Sequence, residues 1–424
     1  MNLKFLQNRW IDSLLATIFI FAVLRGLSSF LGIFDAIDVV GEALEDVEFT
    51  DVVYSNLRED PPADDNIVLV NIGRLPREAI AEQVRIINQY NPKVIGLDTF
   101  FPYPKGKAND STLAANLLEI DNLVMASKLL KFNERTETFD SIKLSAPKFR
   151  ANADFAFANL ITGEGVEQED VKTCRSFNPL LPYKDTTQLA FATKLANYYA
   201  PEKVDKLLAR GNDTEIINYK GNSFGSLSNF APTFFALDIP DVFNENFVPE
   251  MIEGKIVIFG FLGDRLGDRY NIEDKYYTPL NQNYAGRGEP DMYGVVIHAN
   301  IISMILDEDY VYKLDETAQF IIAFILCYLN VLVFMWVYYA LKNWYDGITK
   351  VAQLLELLLI VGVMIYSYHL FNWNLELTLA MGTVAAVGDS LEVYNGVIKN
   401  MFTKEGRKEL FSVSKRKKDK VEIN

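Results

Sequence analysis

Apolar residues along this chain fall into four long runs and a series of short ones. The long runs are Trp10 to Ile33, Ala318 to Leu341, Val351 to Leu370 and Leu375 to Val397. Each is long enough for a helix crossing a hydrocarbon core of about 30 Å. The first run follows Lys4 and Arg9, which predicts a cytoplasmic N-terminus. A cleaved signal peptide is the rival reading, but the run is long and no small-x-small cleavage site follows it. The loop Lys342 to Lys350 has a lysine at each end, and the tail beyond Lys399 is rich in lysine and arginine from Lys404 to Lys420. Both segments are cytoplasmic by the positive-inside rule, and they agree with the N-terminus only if the chain crosses four times. Trp10, Trp336, Trp344 and Trp373 stand near the predicted interfaces. The tail reads first as a topology signal drawn to anionic lipid, at about 1 kcal/mol per basic residue. Docking of a cytosolic partner is its second reading.

Of the charges inside these runs, Arg25, Glu356 and Asp389 need a reason. Arg25 lies in the first, where a central charge costs about 2.5–3.5 kcal/mol; snorkelling to the outer interface explains it best. Glu356 and Asp389 lie in the third and fourth runs, where they mark either an ion path or a helix–helix or partner contact; the contact is the simpler reading. Past the first run, Phe34, Ile37, Val40, Leu44 and Val47 recur at helical spacing, so the helix is expected to continue outward, with Gly41 as a bend.

Between the first and second runs the pattern turns α/β. Ile67 to Ile72 and Lys93 to Asp98 are short continuous apolar runs, as in strands buried on both faces. Between them Ile80, Val84 and Ile87 give helical spacing up to the break at Asn91-Pro92. This β-α-β unit predicts parallel strands with a right-handed crossover. Further helices are expected from Leu113 and over Val295 to Asp307, the latter leading back to the membrane. Further strands are expected at Asn122 to Ala126, Asp154 to Leu160, Val171 to Phe177, Glu215 to Tyr219 and Lys255 to Gly260. The predicted fold class is an α/β extracytoplasmic domain with a largely parallel central sheet, plus four transmembrane helices, one N-terminal and three C-terminal. The segments are 1–9 (cytoplasmic), 10–33 (helix), 34–317 (extracytoplasmic domain), 318–341, 351–370 and 375–397 (helices), and 398–424 (basic cytoplasmic tail).

Composition sharpens this. The chain of 424 residues is 50% hydrophobic yet carries a formal charge of −15, a mixture that segregation of apolar residues into a membrane explains. The acid lies mostly in the central domain, which argues against nucleic acid as a partner. Cys174 and Cys327 fall in the central region and in an apolar run, so they do not predict a disulfide. With His298 and His369 the only histidines, metal sites and histidine bases have little material, and no cofactor is expected.

The order of motifs carries a resemblance. The segments NIVLVNIG, IAEQVRIINQYNPKVIGLDTFF and LAANLLEIDNLVMAS are followed by EGKIVIFGFLGDRLGDRYNIEDKYYTPL and DMYGVVIHANIISMIL. Together they resemble the class-two CHASE domain, an extracytoplasmic sensor named for its association with cyclases and histidine kinases. The resemblance covers Phe34 to Tyr312 and implies a sensor whose ligand is generally undefined; three trailing membrane helices are similar to that family's usual arrangement. Such domains usually precede a cytoplasmic effector, whereas only about 25 residues follow the last helix, too few to fold one. Output is therefore expected to pass to another protein. A second departure is at Asn71 and Gly73, where the family more often has an acid after the first strand.

In a parallel α/β sheet ligands bind beyond the carboxyl ends of the strands. That singles out Asn71, Gly73, Asp98, and the loop from Gly260 through Asp264 to Asp268. Asp98 is the sharpest of these, with helix capping or backbone hydrogen bonding as the structural alternative. The glycine-rich loop lacks the lysine and spacing of a P-loop and reads as a structured turn beside the pocket. His298 either pairs with Asp268 or Asp98 as a pH-sensitive couple or is a satisfied structural histidine. No serine stands in a nucleophile elbow, so an enzyme is the least expected class. Two functions remain. One is a sensor in a bacterial cytoplasmic (inner) membrane that relays to partner proteins and responds to an unknown small molecule. The other is an accessory subunit of an envelope complex. Membrane lipid is a partner in either case, and a homo-oligomer is compatible with both.

Overall fold

The computed structural model describes residues 9–31, 53–58, 62–150, 152–162, 173–223, 233–268, 270–281 and 289–399. The expected outward continuation over Phe34 to Val47, the first residues of the Val171 to Phe177 strand, and the basic tail lie outside these residues. The chain divides into two compact units, Ala43–Val311 on one side and Met1–Glu42 with Tyr312–Asn424 on the other.

The α/β unit is built on β1 (Asp64–Asn71), α2 (Arg77–Asn88), β2 (Val94–Leu97), α3 (Lys107–Leu118) and β3 (Leu123–Asn133). Then come β4 (Thr138–Lys143), β5 (Ala153–Phe157), β6 (Leu180–Tyr183), β7 (Thr186–Leu189), α4 (Phe191–Tyr199) and α5 (Pro201–Ala209). The last elements are β8 (Phe234–Leu237), α6 (Ile239–Phe243), β9 (Ile256–Gly260) and α7 (Gly294–Asp307). The sheet runs β8-β1-β9-β2-β3-β4-β6-β7, with β5 also paired to β3. Strands β8, β1, β9, β2, β3 and β5 are mutually parallel; β3–β4 and β6–β7 are antiparallel. The sheet is therefore mostly parallel.

The β1-α2-β2 unit forms with parallel strands, but they are not neighbours: β9, from far along the chain, is inserted between them. All five residues of β9 are buried, which a central strand covered on both faces requires. On one face Val68, Val70, Ile95, Leu97, Val257 and Phe259 pack with Ile80, Val84, Leu113 and Leu117 of α2 and α3. The other face carries α4 and α7. There Gly260 permits the closest approach, since a Cβ on it would lie 2.7 Å from the Val295 Cβ. Helix α7 is buried from Gly294 through Leu306 and ends where Glu308 turns left-handed (φ 55°). The expected strand over Glu215 to Tyr219 is reduced to a two-residue pairing with Ser176–Phe177.

The other unit contains α1 (Arg9–Leu31), α8 (Glu316–Ala340), α9 (Tyr345–Phe371) and α10 (Thr378–Val393), the last extended by a π-helical turn over Tyr394–Ile398. Helices α8 (25 residues) and α9 (27 residues) are long and apolar enough to cross a membrane. Asp315 caps α8 by accepting from the Ala318 N–H at 2.8 Å. Ala16 and Ile20 of α1 pack with Cys327, Val331 and Phe334 of α8 and with Val387 and Leu391 of α10. Among the buried polar ties, Gln353 Nε2 donates to the Val384 and Ala385 carbonyls, and Tyr345 Oη to that of Gly388.

Candidate functional site

The carboxyl ends of β1 and β9 are closed by one side chain. Asn71, fully buried, donates through Nδ2 to Asp238 Oδ1 (2.9 Å) and to the Gly263 carbonyl (3.1 Å). Its Oδ1 accepts from the N–H groups of Gly73 (2.9 Å) and Leu262 (3.0 Å). Both donors and both lone pairs are used, so Asn71 is a joint rather than a free ligand. Gly73 sits at φ +45°, and a Cβ there would meet Ile239 Cδ1 at 2.8 Å. Asp238 carries a second duty, capping α6 in a reciprocal box with Asp241.

The glycine-rich loop is a structured turn. Gly263 and Gly267 hold positive φ, Asp264 pairs with Arg74 at 3.0 Å in the open, and Asp268 accepts from the Tyr270 N–H at 3.0 Å. Asp98 follows β2 beside Gly260 and donates its own N–H to the Phe259 carbonyl at 2.8 Å. Its carboxylate has no hydrogen-bond partner among the described residues. Burial, helped by the charge of Asp274, pushes it up to about 8. Asp274 is itself pushed up to about 6, first by burial and then by Glu273. Asp98 is nevertheless only half-buried and Asp274 is exposed. Protein atoms crowd both groups while water still reaches them, as on the wall of a cleft.

His298 lies on α7, buried against the Phe191 ring (centroids 5.2 Å apart), and hydrogen-bonds neither Asp268 nor Asp98. Its Nδ1 has no partner among the described residues, and burial pulls it down to about 4. The imidazole is therefore neutral at physiological pH and cannot be the expected pH-sensitive couple. In the helical unit, Arg25 is exposed on α1. Glu356 has a buried Oε2 without a partner among the described residues, and Asp389 pairs with Lys350 at 2.6 Å. Sequence reading gave Asp389 no cation; Lys350 reaches it because α9 starts at Tyr345 and carries the lysine on its first turns. Asp12, not singled out from sequence, is buried and accepts from Tyr394 Oη and Lys399 Nζ.

The open space lies on the α2 side of the sheet. A cavity of about 580 Å³ is lined by Ile72, Gly73, Leu75, Pro76, Arg77 and Ile80 from the β1–α2 turn, and by Thr99 to Tyr103, Lys105 and Asn109 after β2. It sits beyond the carboxyl ends of β1 and β2, where a parallel sheet places ligands. Of the residues singled out from sequence, Gly73 alone lines it. Beneath it Arg77, 6% exposed, is held between the rings of Phe101 and Phe149 and bonded to Asp110 and the Tyr103 carbonyl. Asp110 also accepts from Lys148 and from the N–H groups of Lys105 and Gly106. Those hydrogen bonds, led by Lys148, hold its carboxyl far below the usual range. Sequence reasoning missed this cluster, though one signal was present. Arg77 stands at the first position of a helix, the positive end of its dipole, where a cation needs some other partner.

The largely parallel sheet expected from the sequence is present, and the structure adds what the sequence did not give, the late strand β9 inserted between β1 and β2. The CHASE2 domain model matches residues 37–340. The chain belongs to the CHASE2 family. CHASE2 is an extracytoplasmic sensory domain family, and the match ends at Ala340, the last residue of α8. No curated protein and no solved structure matches the chain.

Proposed function

We propose that this CHASE2 protein is a membrane-anchored recognition protein that senses a small molecule outside the cytoplasm and relays to a separate partner. The observation that carries the reading is the CHASE2 match running through the α/β unit and the whole of α8, which makes fold and membrane helix one family unit. The cavity beyond β1 and β2 gives the recognition function a place. In this reading α1, α8, α9 and α10 all cross a bacterial inner membrane, with both termini in the cytoplasm. Leu354, Leu355, Leu358 and Leu359 of α9 are 59–67% exposed, a stripe that lipid would cover. We read the chain as non-enzymatic, and the isolation of His298 from Asp98 and Asp268 supports that.

A mild-detergent pull-down of the intact protein, with mass spectrometry of what is retained, tests the relay. A partner recurring at fixed stoichiometry supports it, and nothing retained under conditions that preserve other membrane complexes overturns it. A constant partner together with no response of the α/β unit to any ligand makes the chain an accessory subunit instead.

A further inference from the structure

The lining of the cavity contains no aspartate or glutamate, in a chain whose formal charge is −15. Its polar groups are instead cationic or neutral: Arg77, Lys105, Asn109, Thr99 and the Tyr103 phenol. Lys105 is exposed, and its ammonium has no partner among the described residues. Arg77 uses one N–H on Asp110 and one on the Tyr103 carbonyl. A guanidinium has five N–H donors, so three remain without a partner among the described residues. The stacked rings at 5.3 and 5.4 Å and the Asp110 contact hold this group in place at 6% exposure, so its fork is fixed before any ligand arrives.

A third source of positive potential is the start of α2, a 12-residue helix whose N-cap is Pro76 and which has no side-chain cap, although Glu78 in its first turn offsets part of it. The amides of Arg77 and Glu78 have no acceptor within the helix, and Pro76 and Arg77 line the cavity. The rest of the wall is Ile72, Leu75, Ile80 and the rings after β2. A volume of about 580 Å³ suits a small organic molecule.

We propose that this cavity binds a small organic carboxylate with an apolar body, its carboxylate held between Lys105, the free N–H groups of Arg77 and the first amides of α2. The proposal names the ligand class for the recognition role argued above and rests on it. Asp110 and Lys148 fix Arg77 without lining the cavity, so they act as positioning residues. The apolar wall discriminates against bare inorganic anions, and Asp110, the acid next to the cavity, is spent on Arg77, Lys148 and two backbone N–H groups, which leaves it no role in holding an amine.

The test is equilibrium binding to the full-length protein in detergent, with phenylacetate, hexanoate, neutral phenylacetamide and inorganic phosphate as probes. Phenylacetate or hexanoate is expected to bind saturably, and phenylacetamide and phosphate at least about tenfold more weakly. Lys105 is exposed, so K105Q and K105E keep the fold. They are expected to weaken carboxylate binding about fivefold and at least about twentyfold. Phenylacetamide or phosphate binding as tightly as the carboxylates, or K105E binding like wild type, overturns the ligand class and leaves a recognition role standing. No saturable carboxylate binding also overturns it. The relay reading is judged separately, by the pull-down.

Discussion

Replacing Asn71 by aspartate tests whether the joint between β1 and β9 depends on its two donors. The N71D substitution keeps the oxygen that accepts from Gly73 and Leu262 and changes only the amide nitrogen. That nitrogen donates to Asp238 Oδ1 at 2.9 Å and to the Gly263 carbonyl at 3.1 Å. A hydrogen bond to a charged group contributes about 1.5–3 kcal/mol and a neutral one about 0.5–1.5 kcal/mol. The substitution removes both and puts a carboxylate against the Asp238 carboxylate. The expected loss is about 3–5 kcal/mol at pH 7.5, near the upper end for a single change. For a unit of this size that is a fall of about 10 °C in Tm. At pH 5 uptake of a proton restores a donor, so the loss should shrink. The double substitution N71D/D238N should recover part of it, because the new amide can donate to the introduced carboxylate. Recovery is incomplete, since Asp238 also accepts from Ile239 and Leu266. The assay is thermal unfolding of the full-length protein in detergent at both pH values. A Tm for N71D within about 2 °C of wild type at pH 7.5 refutes the argument.

Asp98 is raised from an ordinary 3.8 to about 8. Its contribution is therefore fully present below the ordinary value and is lost as pH rises through about 8; Tm of the full-length protein should fall over that window. D98N should flatten the decline, and an unchanged slope would count against the burial argument. In G260A a Cβ is forced to within 2.7 Å of the Val295 Cβ, with an expected loss of about 1–3 kcal/mol, read as the Tm difference; an unchanged Tm would show that α7 shifts freely. H298F removes a buried nitrogen that has no partner and keeps a ring against Phe191, so stability should hold or rise, and a loss beyond about 1 kcal/mol would mean that the imidazole is satisfied in a way its geometry does not show.

The parts of this fold that were legible in the sequence are those set by continuous burial. Residues 67–72, 93–98 and 255–260 read as buried strands because each is covered on both faces, and α2 and α7 announced themselves by apolar spacing. What sequence could not supply was order. Nothing local in KIVIFG says that β9 lies between β1 and β2, since that pairing joins residues nearly two hundred positions apart. The outer strands β4, β6 and β7 were missed for a related reason. Half-exposed and short, they lack the burial that makes a run conspicuous. The site was legible only as a place. Strand ends located it, but the residue types that drew attention there, Asn71, Asp264 and Asp268, are used internally by turns and joints. The cavity is instead lined by the β1–α2 turn and by Thr99 to Tyr103, Lys105 and Asn109, most of which sequence reading assigned no role.

The joint at Asn71 also explains why chemistry is divided around it. With both donors and both acceptors committed, the ends of β1 and β9 offer a ligand nothing at their centre. Side chains alternate across the strands, so Asp98 emerges beside Gly260 on the α7 face, whereas Ile72 and Phe101 belong to the core on the α2 face. The α7 side therefore gathers carboxylates with raised proton affinity, Asp98 and Asp274. The α2 side gathers Arg77, Lys105 and an uncapped helix start. Asp98, at about 8, is largely protonated at neutral pH, so on the α7 side Asp274 carries the charge, whereas on the α2 side the Asp110 carboxylate is committed to Arg77 and Lys148. The Asn71 amide adds no charge at this boundary, and the acid it bonds, Asp238, stands one strand away and is occupied in capping α6.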